Sequence, residues 1–266
     1  MRTALTIAGS DSGAGAGIQA DLKTFAAHGV YGTCAITAIT AQNTLGVTTW
    51  EALSADLVTA QIEAVVGDFG ADAVKTGMLA TAAIVETVGA AIESLDLSTV
   101  VVDPVMVAKG GDRLLDAEAV ATMRTELLPR AFVLTPNIPE AEVLAEMSIH
   151  SVADMREAAR RIIASGPRVV IIKGGHLAGP ECVDLIVTAH GCDELRGPRI
   201  DTRQTHGTGC TFASAVSANL ALGRDVADAA RRARDYVAAA IREAPGLGRG
   251  HGPLQHFPKE GPVSLR

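Results

Sequence analysis

The chain has 266 residues, of which 48% are hydrophobic and 20% charged, with a formal net charge of −7. That apolar share suits a folded, enzyme-sized single domain spanning 1–266, with a sizeable core and little room for disorder. The acidic balance excludes nucleic acid and anionic membrane surfaces as expected partners, because phosphate groups would repel it.

The amino-terminal stretch "MRTALTIAGSDSG" has no h-region followed by a small-residue cleavage site, and no apolar run reaches the ~18–20 residues of a membrane span. A soluble protein with no membrane partner is expected. Cys34, Cys182, Cys192 and Cys210 form no C-x-x-C pair and have no histidine at zinc-ligand spacing, so a reducing cytoplasm is the expected compartment.

The first apolar run, "TALTIA", is followed by "GAGAG" at 13–17. This has neither the G-x-G-x-x-G spacing of a dinucleotide fold nor the G-K-[ST] ending of a P-loop, which argues against a Rossmann-type dehydrogenase. It reads as a glycine turn into a helix. In that helix, "GIQADLKTF", Ile18, Asp21, Leu22 and Phe25 share one face, which puts a carboxylate on the apolar stripe. A buried charge needs a partner: either an internal cation or an amine or hydroxyl of a ligand.

Further runs follow at "TCAITAITA", "DAVKTG", "TVVVDP", "AFVLTP" and "RVVIIKGG". They are continuously apolar, as strands covered on both faces are. Between them, "ADLVTAQIEAVVGDF" and "SVADMREAARRIIASG" have helical spacing and Gly or Pro at their ends. The alternation predicts an α/β fold with a mostly parallel central sheet and right-handed crossovers. Residues 181–200 predict an antiparallel edge hairpin around "HGCD", and helices are predicted at 209–222 and 225–243. The Gly- and Pro-rich tail after Pro245 reads as irregular.

Ligands of such sheets bind beyond the carboxyl ends of the strands. Gly9, Asp103, Asn137 and Lys173 all fall at such ends. Asp103 either faces a metal or phosphate or caps a turn. Asn137 and Glu140 in "TPNIPE" have nearly the spacing of a capping box. Lys173 in "KGGH" precedes two glycines that permit close approach of a ligand, or it is simply solvated. In "THGTGC", Gly207, Gly209 and Cys210 lead into a helix whose first amides could hold an anion. A thiol placed there should have a lowered pKa and could accept a proton; the alternative is a small core residue.

The set "AGSDSGAGAGIQADLKTF", "TAITAQNTLGV", "KTGM", "DPVM", "TPNIPE", "KGGH" and "HGTGCTFASA" closely resembles the hydroxymethylpyrimidine/phosphomethylpyrimidine kinases of thiamine biosynthesis, in the ribokinase-like superfamily, from residue 5 to about 257. The resemblance implies a three-layer ribokinase-like fold and phosphorylation of a pyrimidine hydroxymethyl group, then of its monophosphate, using ATP and Mg2+. It implies that Asp21 and Gln42 bind the aminopyrimidine, with Gly9, Met78 and Val105 lining the pocket. Cys210 matches the family's catalytic base, with Gly207 and Gly209 in the anion hole. Asn137, Lys173 and Asp103 would serve the nucleotide phosphates, and Glu140 and Asp103 the metal. A homodimer is expected.

Pyridoxal/pyridoxine kinase is the alternative, since a related group of those enzymes carries a cysteine at this position. A noncatalytic binding protein would have no need of Cys210 together with Glu140. Relatives often have "GSDPSGGAG" where this chain has "GSDSGAGAG", a departure that bears on the substrate loop.

Overall fold

A computed structural model describes residues 1–106, 115 and 117–259. Its centre is a nine-stranded sheet in the order β3-β2-β1-β4-β5-β6-β7-β8-β9. The strands are β1 (Thr3–Asp11), β2 (Tyr31–Asn43), β3 (Gly46–Ala52), β4 (Ala73–Thr76), β5 (Val100–Val102), β6 (Val133–Leu134), β7 (Val169–Ile172), β8 (Glu181–Thr188) and β9 (Gly191–Pro198). The six from β2 to β7 pair in parallel. The expected hairpin β8–β9 closes one edge. At the other edge β3 folds back antiparallel on β2, an element absent from the sequence expectation.

Eight helices are described: α1 (Gly17–Ala27), α2 (Ala55–Phe69), α3 (Ala82–Ser94), α4 (Ala117–Thr122), α5 (Ile138–Ala145), α6 (Val152–Ile163), α7 (Thr208–Ala221) and α8 (Val226–Arg242). A π turn at Met123–Leu127 and a 3-10 turn at Leu128–Arg130 extend α4.

Strand parity sorts the core into two layers, because successive side chains point to opposite faces. Leu5, Ile7, Val74, Val100, Val102, Leu134, Val170 and Ile172 meet α2, α3, α5 and α6 in one cluster. Val101, Val133, Val169 and Ile171 meet α7 and α8 in the other. Phe25 and Ala4 join the ends of α1 and α7. The described part of α7 is buried along most of its length and lined with alanines, which lets it lie close over the sheet.

The same parity decides where two polar residues go. Thr6 lies between Leu5 and Ile7, and Lys75 follows Val74, so both face the α1–α7 layer. They are register partners across β1 and β4.

Candidate active site

The carboxyl ends of the parallel strands carry Ser10 and Asp11, Gly77 and Met78, Asp103, Pro136 and Asn137, and Lys173, in adjacent positions. Backbone bonds tie these ends together: Gly77 N–H to Ile7 O, Asp103 N–H to Thr76 O, and Lys173 N–H to Pro136 O. The N-termini of α1 and α7 reach the same edge. Neither has a side-chain cap, whereas Ser54, Thr81, Asn137, Ser151 and Asp225 cap α2, α3, α5, α6 and α8.

Asp21 is fully buried and its partners are all internal. Lys75 Nζ lies 2.9 Å from Oδ2 with both side chains at 0% exposure. Thr6 Oγ1 donates to Oδ2 at 2.6 Å and Ser214 Oγ to Oδ1 at 2.6 Å. Of the two sequence readings, the internal ion pair is the one found. Three donors and complete burial hold the carboxylate within the fold. Asp21 instead ties α1, α7, β1 and β4 together beneath the site. Burial works against the Lys75 charge, but Asp21, Cys210 and Asp103 outweigh it and hold the ammonium above its ordinary pKa.

Cys210 stands in the first turn of α7, half-buried, with the Gly17 N–H at its sulfur. The expected lowering of its thiol pKa is corrected. Burial pushes it up to about 11, with Asp21 and Asp103 adding to the rise; Lys75 and the Gly17 amide pull the other way without offsetting it. Removing the thiolate from water outweighs the helix terminus here.

The turn ahead of Cys210 depends on two glycines. Gly207, at φ +80°, would place a Cβ 1.8 Å from Gly15 O, so no side chain fits. At Gly209 the position of a Cβ lies 3.3 Å from Lys173 Nζ and 3.7 Å from Asp103 Oδ2. The first α-helical bond runs from Thr211 N–H to Gly207 O, so the Gly209 and Cys210 amides precede the helix's own ladder.

Lys173 Nζ bonds Asp103 Oδ1 at 3.0 Å, with 16% and 2% of the side chains exposed. Burial opposes the Lys173 charge, and Asp103 and Glu140 together raise its pKa. Asn137 and Glu140 form the anticipated capping box on α5: Glu140 N–H donates to Asn137 Oδ1 at 2.9 Å and Asn137 N–H to Glu140 Oε2 at 2.8 Å. Burial lifts the Glu140 carboxyl to about 7, against the pull of Lys173 and with a push from Asp103. Among the described residues no three His, Cys, Asp or Glu side chains gather as a metal cluster. Asp103 and Glu140 thus offer two carboxylates beside one ammonium.

The "GSDSGAGAG" loop is organised by Asp11. Its carboxylate accepts from Gly13, Gly15 and Ala16 N–H at 2.8, 3.0 and 2.8 Å, and lies 2.8 Å from His206 Nε2. Burial opposes ionisation, but His206 and the loop amides overcome it and hold the carboxyl below its usual range. Ser12 donates to Gln42 O and accepts from Gln42 N–H, both at 2.8 Å. Met78 and Val105 pack with Ala38, Ala52 and Ala80, and Gly9 lies against Met78 Sδ, so the three apolar residues named for the pocket come together.

Lys75 and His206 were not singled out from the sequence. Parity was an available signal for Lys75, because "AVKT" directs it to the face opposite Val74. His206 directly precedes Gly207, but its pairing with Asp11 spans 195 positions.

A mostly parallel sheet with helices on both faces, antiparallel edges, and an open helix terminus above an Asp–Lys pair defines a ribokinase-like small-molecule kinase. A 37% identical pyridoxal kinase from Staphylococcus aureus, solved with AMP-PCP and pyridoxal, superposes with a TM-score of 0.89, covering 98% of this chain and 95% of that one. The chain belongs to the phosphomethylpyrimidine kinase family, whose model matches residues 11–255. The hydroxymethylpyrimidine/phosphomethylpyrimidine kinase of Bacillus subtilis is 48% identical over 96% of this chain and 94% of its own length. The thiamine biosynthesis bifunctional protein ThiED of Geobacter sulfurreducens is 49% identical over 95% of this chain, which spans about half, 52%, of that relative.

Proposed function

We propose that the chain phosphorylates 4-amino-5-hydroxymethyl-2-methylpyrimidine with ATP, and then the resulting monophosphate, in thiamine biosynthesis. The observation that carries this reading, alongside the family membership, is the uncapped terminus of α7. Gly209 turns its side-chain position towards the Asp103–Lys173 pair, where an added Cβ would come 3.3 Å from Lys173 Nζ, and Cys210 follows at the next position. In the transfer the hydroxymethyl oxygen bonds to the γ-phosphorus, the bond to the β-phosphate oxygen breaks, and ADP leaves. The Gly209 and Cys210 amides and Lys173 face the charge on the phosphoryl group, with Gly207 shaping the turn. Asn137 holds the α5 end of the nucleotide side.

Mg2+ suits two carboxylates that need neutralising, since it binds through one or two such groups plus phosphate oxygens. Asp103 and Glu140 would hold it, and it would supply charge neutralisation of the triphosphate. Gln42 meets the aminopyrimidine, with Gly9, Met78 and Val105 as the apolar wall.

Cys210 is assigned the alcohol proton. With its pKa near 11, the thiolate is a small fraction at neutral pH. A loose transition state in which the proton leaves late needs only that fraction.

Product masses after incubation with the pyrimidine and Mg-ATP test the reading: one or two added phosphates support it, and none refutes it. Pyridoxal is the second acceptor to assay, because the neighbouring structure is a pyridoxal kinase. A cytoplasmic homodimer is proposed as the working form. Exposed Tyr31, stacked on Phe69, with Ile39 and Trp50 nearby in sequence on β2 and β3, supplies apolar surface for it. Light scattering gives the mass.

A further inference from the structure

Lys173 stands just past the end of β7, and both peptide groups that flank it are bonded. On one side the Lys173 N–H donates to Pro136 O at 2.9 Å. On the other the Gly174 N–H donates to Asp184 Oδ1 at 2.8 Å. Two fixed peptide planes set φ and ψ at Lys173, here −79° and 113°, and so the direction in which its side chain leaves the backbone. The first bond is made by a backbone carbonyl. The second depends on a side chain.

That side chain is out of keeping with its place in β8. Val183, Leu185 and Val187 face one core layer and Ile186 faces the other, so parity turns Asp184 to the same side as Ile186. An apolar residue would pack there readily, whereas burial pushes the Asp184 carboxyl above its usual range, against the pull of Arg234, the Gly174 amide and Lys173. What the carboxylate gains is two partners from other elements. Arg234 of α8 approaches Oδ2 at 3.4 Å. It also donates to Cys182 O at 2.7 Å and to Leu195 O, which holds the guanidinium across both strands of the hairpin. Gly174 completes the fit: a Cβ on it would lie 1.8 Å from Val183 O, so the turn after Lys173 rests on β8 with no room for a side chain.

We propose that Asp184 is a positioning residue for phosphoryl transfer: through the Gly174 amide it fixes the backbone from which Lys173 reaches Asp103 and the transferring group, and Arg234 keeps its carboxylate in place. Asp103 holds the far end of the lysine, at 3.0 Å from Nζ, and Asp184 sets the near end. The ammonium is thus aimed before a nucleotide arrives, as stabilisation of a developing charge requires. The inference rests on the reading that Lys173 serves the phosphoryl group.

Asp184→Leu and Asp184→Asn, made in the whole enzyme, separate positioning from support. Both remove the charge opposite Arg234, so both should lower the denaturation midpoint to a similar degree. Only asparagine keeps an oxygen for the Gly174 N–H. Asp184→Leu should therefore lower kcat about tenfold, the effect of one buried donor left unmatched. Asp184→Asn should stay within about threefold of wild type, and the KM for hydroxymethylpyrimidine should be unchanged in both. In the Lys173→Met background Asp184→Leu should lower kcat no further. Should Asp184→Leu not fold, adding Arg234→Met removes the unpaired guanidinium, and the same kcat comparison is read on that double variant. Equal rates in the leucine and asparagine variants would overturn the positioning role, as would a further loss in the Lys173→Met background. An unchanged kcat in Lys173→Met would take the lysine out of the transfer, and this inference with it, while product masses would still report on the kinase reading by themselves.

Discussion

Two aspartate–lysine pairs lie beneath the same helix terminus, and they have opposite characters. In Asp21–Lys75 both side chains are at 0% exposure, and Thr6 and Ser214 complete the carboxylate. In Asp103–Lys173 the ammonium keeps 16% of its surface and abuts the backbone of Gly209. The first pair is closed off from solvent and completed by internal hydroxyls. The second is open toward the place where an anion would sit. The same two residue types thus become a fastening in one place and a charge handle in the other, depending on whether hydroxyls fill the remaining valences.

The largest expected effect comes from breaking the closed pair. Lys75→Met leaves Asp21 buried without its cation and should lower unfolding free energy by roughly 3–5 kcal/mol. The double variant Lys75→Met, Asp21→Asn should recover most of the loss in chemical denaturation. A single-variant loss under about 1 kcal/mol would show that the pair does not fasten the layers.

Breaking the open pair should instead reach the chemistry. Lys173→Met should lower kcat by about 10²–10³-fold, as removal of one preorganised charge or donor does. Its stability cost should be smaller, about 1–2 kcal/mol, because Lys75 still acts on Asp103. Steady-state rates and denaturation curves on the same preparation separate the two.

A third measurement concerns Cys210, which feels both pairs. With Cys34, Cys182 and Cys192 replaced by serine, its alkylation rate should climb about tenfold per pH unit from 7 to 9, following thiolate population. A plateau below pH 9 would mean that the helix terminus, not burial, sets the thiol.

The smallest effect sharpens the open pair's surroundings. Glu140→Gln keeps an acceptor for the Asn137 amide and should change stability by under about 1 kcal/mol near pH 4.5. The folded carboxyl is raised from 4.5 to about 7, so it favours the protonated form, and its contribution is lost as pH rises through that window. The glutamine variant should therefore gain on wild type between pH 4.5 and 7, read as the difference between their denaturation midpoints. A constant difference would leave Glu140 as a cap alone.

Much of the architecture was legible because strands covered on both sides read as unbroken apolar runs: "TALTIA", "TVVVDP" and "RVVIIKGG" are β1, β5 and β7. The helices α7 and α8 fall within a residue of their expected bounds. β3 was not legible, since "GVTTWEA" is largely exposed and lacks an alternating buried face. The gathering of Asp103, Lys173 and Gly209 follows from their places at strand ends and a helix start. What the sequence left open depended on three-dimensional partners. Asp21 met Lys75 because parity turned a residue 54 positions away towards it. The Cys210 thiol is pushed up and not down because packing removed more solvation than the helix terminus supplied.

Ser214 closes its bond to Asp21 across 193 residues. At roughly 5–20 residues per second, a ribosome takes on the order of ten seconds or more to deliver that hydroxyl after the carboxylate has emerged. Until then α1 carries an acid whose fastening is incomplete, and the turn against Gly15 does not exist. A nascent chain therefore carries the β1, β4 and β5 ends of the site long before it carries the helix terminus that covers them, and the cluster is completed only once "THGTGC" has been made.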